Sequence, residues 1–343
     1  MGVLVAVLAL LIGATPANAT NGLSWQLTPT GSAARLRGLS VVDGRTAWAS
    51  GSLGTVLRTT DGGRTWQSVG PPDTADLQFR DIEAFDADHA VILSIGNGAA
   101  SRIYVTANGG KTWQETFRNP DEPAFYDCVA FFDRRNGLAM SDPVDGKFRI
   151  IATSDGGASW KVLPSDGMPP AQTGEAGFAA SGQCLITKGS KDAWIGSGGG
   201  AKARVYHSRD RGRTWTFSET PLGSSESSGV FALAFRNTHT GIAIGGDFND
   251  PDPAVHALAT TRDGGRSWRE PPQAPRRYRS GATYLPYLPT GIIAVGPSGS
   301  DLSWDDGNHW HQFDEGSFDT VDCGWDGACW ASGEKGRIAK LRW

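Results

Sequence analysis

The chain has 343 residues, with 32 Lys and Arg against 36 Asp and Glu, so its net charge of −4 gives no basic footprint for nucleic acid. With 46 Gly, 13 Trp and only 20% charged residues, it reads as one large all-β domain rather than a disordered or α/β chain. No run of 18 apolar residues occurs, so no transmembrane span and no membrane insertion is expected.

Residues 1–19 stand apart. Val3 to Ile12 form an apolar core, followed by Pro16 and the small-residue site Ala17-Asn18-Ala19. This predicts a secretory signal peptide cleaved before Thr20, and hence an exported protein, periplasmic or extracellular. No Lys or Arg precedes the apolar core, so the natural start is expected further upstream. No Cys follows the cleavage site, which argues against lipid attachment. Residues 20–343 are then one domain, expected to be monomeric.

From residue 23 onward the chain repeats. Thr59-Thr60-Asp61-Gly62-Gly63-Arg64-Thr65-Trp66 returns five more times, with its acidic or amide position at Asp61, Asn108, Asp155, Asp210, Asp263 and Asp305. Its tryptophans are Trp66, Trp113, Trp160, Trp215, Trp268 and Trp310. The short oxygen-bearing side chain can bond backbone amides two residues on, Gly supplies positive φ, and Thr or Ser with Trp opens the next strand. Six near-identical copies at one position of a repeat point to folding rather than chemistry.

Between copies each repeat reads as an apolar strand, a turn, a second apolar strand ending in Gly, a third strand, the octapeptide turn and a short fourth strand. The first repeat predicts strands over 36–42, 47–51, 55–59 and 65–69. First strands are expected near 35, 78, 124, 174, 229, 278 and 317, seven in all against six turns. The last repeat lacks a fourth strand, and Leu23-Ser24-Trp25-Gln26-Leu27 resembles the missing piece. A repeat of this length with four strands predicts a seven-bladed β-propeller of four-stranded blades, its ring closed by an N-terminal strand at about 23–28.

Three insertions break the repeat: Asp142–Lys147, Gly196–Gly200 with extra strand-like sequence at Cys184–Lys188, and Gly246–Pro253. The last offers Asp247, Asn249, Asp250 and Asp252 as weak metal-ligand candidates, but without the spacing of an EF-hand loop. His309 and His311 share a strand face, with His309 at the Thr position of its turn. No nucleotide-binding fingerprint occurs and no cofactor is expected.

Aligning the starts of the first strands brings Arg37, Arg80, Tyr126, Glu175, Val230, Arg279 and Phe318 or Asp319 to one level. In a propeller the first strands line the central channel, so Arg37, Arg80, Tyr126, Glu175 and Arg279 are candidate ligand or partner contacts. They would suit a carboxylate, a phosphate or an acidic peptide. Alternatively Glu175, Asp81 and Asp127 neutralise the arginines in a self-satisfied ring. If the chain is an enzyme, Glu175 is the candidate general acid, with Tyr126 or Asp127 assisting.

Four cysteines in an exported chain suggest disulfides. Cys323 and Cys329 flank a five-residue turn and are expected to pair; Cys128 and Cys184 lie in successive repeats and either bridge two blades or stay as buried thiols.

The turns resemble the BNR or Asp-box repeat of sialidases, sortilin-type receptors, xyloglucan hydrolases and the photosystem II assembly/stability-factor family. The run from Gly54 to Trp66, the seven-repeat count and the size are most similar to the last of these. That resemblance implies an exported seven-bladed propeller that binds a protein or peptide partner, possibly acidic, without catalysis. The alternative is a glycan-active hydrolase, but the Phe/Tyr-Arg-Ile-Pro segment of sialidases has only Phe148-Arg149-Ile150-Ile151 as its counterpart.

Overall fold

The structure, a computed structural model, describes residues 22–343, so the leader and its cleavage site lie outside the described residues. Those residues form seven antiparallel sheets. Their inner strands are Leu36–Val41, Gln78–Ala84, Tyr126–Phe131, Leu185–Lys188, Ser228–Phe235, Gly281–Tyr284 and Thr320–Cys323. Each contacts the next, and the seventh returns to the first, which closes the ring of a seven-bladed β-propeller. Six blades have four strands; the fifth has three, with an isolated bridge from Thr260 to Arg269 where its fourth would run.

Ring closure follows the sequence expectation. Ser24–Thr28 pairs with Ile338–Arg342, with Ser24 opposite Arg342 and Thr28 opposite Ile338, so the start of the ring completes the last blade. Ile338–Arg342 is thereby paired on both sides, and Ser24–Thr28 becomes the outer edge of the blade. Among the described residues the apolar core divides into seven clusters, each between two neighbouring blades. The inner and middle strands are therefore apolar on both faces, as expected for sheets stacked on either side.

The recurrent turn joins the third and fourth strands of its blade. In the first copy the Thr59 hydroxyl accepts from the Gly63 amide at 3.0 Å and donates to Asp61 at 2.9 Å. Asp61 in turn accepts the Thr65 amide at 3.0 Å and its hydroxyl at 2.7 Å. The Thr65 amide and hydroxyl hold the Asp61 carboxyl down at about 2. His309 replaces the Thr hydroxyl in the sixth copy, its Nδ1 meeting Asp305 at 2.7 Å, so the imidazole does the work of a hydroxyl. In the second copy Asn108 reverses the bond and donates to Thr112 at 2.8 Å. Each indole N–H finds one acceptor: Thr28, Val69 and Ser218 in the preceding blade for Trp66, Trp113 and Trp268, and a turn glycine carbonyl for the other three.

The fourth repeat departs from expectation. Its inner strand is Leu185–Lys188, paired with Asp192–Gly196, and the run placed as an extra strand is the first one. Residues 174–183 are not a strand at all. Rich in Gly and Ala and without alternation, they cross the channel: Ser181 accepts from the Thr320 hydroxyl, and the Gln183 amide bonds Val321 and Ala282 on blades seven and six. Gly182 lies against Asp81 of blade two, where a Cβ would come within 2.3 Å of the carboxylate. Both cysteine pairs are closed. Cys323–Cys329 spans one hairpin, and Cys128–Cys184 ties the inner edges of blades three and four.

Candidate functional site

An antiparallel four-stranded blade sends its first-to-second and third-to-fourth connections to one face of the ring and its inner-strand start to the other. The recurrent turns thus lie opposite the channel mouth, where the inner strands begin.

At that mouth four inner strands carry a β-bulge, and the residue pushed out of pairing is Arg37, Arg80, Asp127 and Phe231 in blades one, two, three and five. A bulge re-aims its extra residue. Asp319 holds the same place in blade seven, since the amide of Phe318 bonds the preceding blade at Gly296 as that of Leu36 bonds Gly333. The Arg279 amide bonds Gly245 in the same way, which puts Arg279 in register with Leu36 and Phe318, not with Arg37 and Asp319. The sequence alignment joined two registers one residue apart, and in a strand one residue reverses the face.

Three of the five candidate contacts are therefore corrected. Tyr126 is fully buried between blades two and three, edge-on to Phe117 at 5.2 Å. Arg279 is buried with Asp301, its Nε 2.6 Å from the carboxylate, and also donates to the Tyr278 carbonyl. Glu175 is sealed inside blade four, accepting from Ser197 at 2.6 Å, Gln172 at 2.7 Å, Tyr206 at 3.0 Å and Arg204 at 3.4 Å. A carboxylate so occupied is a structural anchor for the start of the channel-crossing segment. Asp127 is buried beside Asp142, which burial pushes up to about 6, and Asp142 accepts the Gly177 amide at 2.7 Å. Tyr126, Asp127 and Glu175 do not share an open cleft.

Arg37 and Arg80 do share one, of about 390 Å³. Arg35 also lines it but is neutralised, with two bonds of 2.8 and 2.6 Å to Asp319. Arg37 is 3.9 Å from the same carboxylate, and its buried Nε has no hydrogen-bond partner. Burial holds its guanidinium below the usual arginine range, with Arg35 adding to the effect. Arg80 donates to Ala179 at 2.8 Å and to Gln78 at 2.9 Å; burial, then Arg37 and Arg35, push it down to about 10. Two cations thus face the cleft without an anion of their own.

Apart from Ser298, the rest of the wall is mostly aromatic and aliphatic. Phe178, from the channel-crossing segment, stacks on the bulged Phe231 at 4.2 Å, and Tyr278 meets Phe231 edge-on at 4.9 Å. Phe248, on the inserted loop of blade five, leans toward Phe231 and remains half exposed. Pro251 and Pro297 complete the rim, and residues 178–180 form part of the lining. Sequence reasoning missed Arg35, Phe178, Phe231 and Tyr278. Only Phe248 carried a signal, by lying in a loop longer than the repeat demands.

The metal candidates separate. Asp247 accepts the Asn249 amide of its own loop at 2.8 Å, and Asp252 pairs with Arg277 at 3.0 Å. Among the described residues no group of three or more His, Cys, Asp or Glu side chains is arranged for a metal ion. No described helix is long and apolar enough to cross a membrane.

No protein-family profile and no curated protein matches the chain. Solved structures do. A YCF48 bound to D1 peptide is 18% identical, with a TM-score of 0.64 over 93% of this chain and 96% of the other. YCF48 from Cyanidioschyzon merolae is 16% identical, with a TM-score of 0.63 over 92% and 98%. A GH74 xyloglucanase from Xanthomonas campestris is also 16% identical, with a TM-score of 0.64, but 92% of this chain corresponds to only 53% of that one. At such identities the likeness is one of fold.

Proposed function

We propose that this chain is an exported, non-enzymatic binding propeller that holds a protein or peptide partner at the channel mouth. An acidic group of the partner meets Arg37 and Arg80, and an apolar side chain lies on Phe178 and Phe248. The observation that carries the reading is Arg37: a half-buried guanidinium facing an open cleft, beside a carboxylate already taken by Arg35. Its terminal nitrogens hold no hydrogen bond within the chain, and a guanidinium can bind an incoming carboxylate through two parallel bonds. The whole-length likeness to a YCF48 bound to a peptide supports the reading, as do six turns that we read as Asp-box repeats. The placement of Glu175, Tyr126 and Asp127 gives no support to a glycosidase centre built from them.

The test is a pull-down at low salt from the exported fraction of the source organism, with wild type beside Arg37→Ala, Arg80→Ala. A partner retained by the wild type and lost by the variant, with unchanged melting temperature, is the expected result. Retention by both would move the site away from the cleft.

A further inference from the structure

The recurrent turn of blade one, residues 59–66, packs on the outer half of blade seven. Gly63 lies against the Trp330 ring there, and the Trp66 indole donates to Thr28. Between this turn and the two outer strands of blade seven an open cavity of about 680 Å³ remains. Four cations line it. Arg45 comes from the first loop of blade one, Arg64 from the turn, and Lys340 and Arg342 from the third strand of blade seven.

None of the four is neutralised. The exposed guanidinium groups of Arg45 and Arg64 have no partner among the described residues. Arg342 donates from Nε to the neutral Gln26 side chain at 2.5 Å. Lys340 donates to the Gly44 carbonyl at 2.5 Å, with its ammonium 4.9 Å from the Trp330 ring, so two contacts hold it in place. Burial, then the Arg342 charge, hold that ammonium below the usual lysine range, while Asp326 and Asp43 pull the other way. The acidic groups close by are otherwise occupied. Asp61, in the lining, accepts the Thr59 and Thr65 hydroxyls and the Thr65 amide. Asp43 accepts the amides of Arg45 and Thr46, and Asp326 those of Gly44 and Ala328. The matching cavity between blades three and four differs: there Arg211 is held by the Ser190 carbonyl at 2.8 Å and faces Asp133 at 4.0 Å.

We propose that this cavity binds a soluble phosphoryl compound with two or more negative charges, an oligophosphate or a phosphate ester. A single carboxylate is served by one guanidinium fork. Three guanidinium groups and an ammonium around one hollow exceed that need. They suit phosphoryl oxygens, which are arranged tetrahedrally and accept from several directions at once. The hollow is concave and of the size that holds small ligands, so it takes a compact anion more readily than an extended acidic chain. Its cations come from blades one and seven, which ring closure brings together, so the ligand bridges the seam of the ring and stabilises it. The site is separate from the mouth cleft and does not depend on the reading of that cleft.

Calorimetric titration with tripolyphosphate tests this, with acetyl-tetraglutamate as a carboxylate chain of similar charge. The host is Arg37→Ala, Arg80→Ala, in which the mouth no longer competes for anions. One equivalent of tripolyphosphate binds the host, more weakly as salt rises, and acetyl-tetraglutamate binds roughly tenfold more weakly or less. Adding Arg64→Ala, Arg342→Ala weakens tripolyphosphate roughly thirtyfold or more, whereas Arg64→Lys, Arg342→Lys keeps most of the affinity. Both side chains are exposed, so the ligand-free melting temperature stays the same, and the rise that tripolyphosphate produces in the host is lost in the Ala variant. In the wild-type background the same Ala pair removes one equivalent of bound tripolyphosphate. Equal affinity for the two anions overturns the proposal, as does binding that Arg64→Ala, Arg342→Ala leaves unchanged. So does a host that binds no tripolyphosphate, a result that leaves the reading of the mouth untouched.

Discussion

Arg37 stands 3.9 Å from Asp319, whose carboxylate is already held by Arg35 at 2.6 and 2.8 Å. One anion therefore serves two guanidinium groups, and Arg80 adds a third cation to the same cleft. The mouth keeps an excess positive charge although the chain as a whole is negative.

Asp319→Asn follows directly. Asparagine keeps one acceptor for Arg35 and removes the charge that competes with a ligand. Affinity for an acidic peptide is expected to rise by roughly tenfold at low salt, and by less at high salt, where partly exposed charges are screened. Calorimetric titration of one acidic peptide at both salt levels checks it; equal affinity for wild type and variant would mean that the arginines do not contact the ligand.

The buried carboxyls set a pH dependence. Burial pushes Asp81 up to about 8 and Asp142 and Asp322 up to about 6, whereas an unfolded carboxyl titrates near about 4. Between about pH 4 and 8 the folded chain therefore binds more protons than the unfolded one, and stability declines as pH rises through that window. In Asp142→Asn the amide oxygen still accepts the Gly177 N–H, and the amide nitrogen can donate to the unpartnered Asp127 Oδ2. Its melting temperature is expected to fall less between pH 5 and 8 than that of the wild type, a difference on the order of a few degrees. An equally steep profile would show that Asp142 is not among the groups taking up protons.

The ring, its closure and the six turns were legible in the sequence because each rests on local chemistry repeated at fixed spacing. The cleft was legible only in part. Arg37 and Arg80 lie on bulges, and a bulge adds one residue that no period announces, so Tyr126 and Arg279 were aligned one place off. Residues 174–183 were misplaced for another reason. Their partners, Thr320, Val321 and Ala282, come from across the ring, and such contacts leave no periodic trace in the segment itself.

The two disulfides should differ in weight. Cys128 and Cys184 are 56 residues apart, and on the chain-entropy account closing such a loop contributes about 4 kcal/mol. Cys323 and Cys329 are 6 apart, for which the same account gives about 2 kcal/mol. Cys128→Ala, Cys184→Ala should shift a urea midpoint more than Cys323→Ala, Cys329→Ala. The reverse order would mean that native-state packing, not loop length, decides the effect.

The recurrent turn has a second task, which a pair of glycines separates. Gly63 has φ of +81° and Gly146 of +75°, so alanine at either meets the same backbone penalty, about 1 kcal/mol. Around Gly146 nothing lies within 4 Å of an added Cβ, whereas at Gly63 that atom would come within 2.7 Å of the Trp330 ring in blade seven. Three of the matching glycines behave alike: Gly110 meets Val69, Gly212 meets Leu138 and Gly307 meets Ile242, each on the preceding blade. Gly146→Ala should cost about 1 kcal/mol and Gly63→Ala about 2–4 kcal/mol, the excess being overpacking against the indole. Denaturant titration of the two variants measures the gap. Equal losses would reduce the turn to a device for reversing the chain; a larger loss at Gly63 makes the turn a socket for the blade before it, which explains why it recurs in six of the seven blades with Gly at the same place.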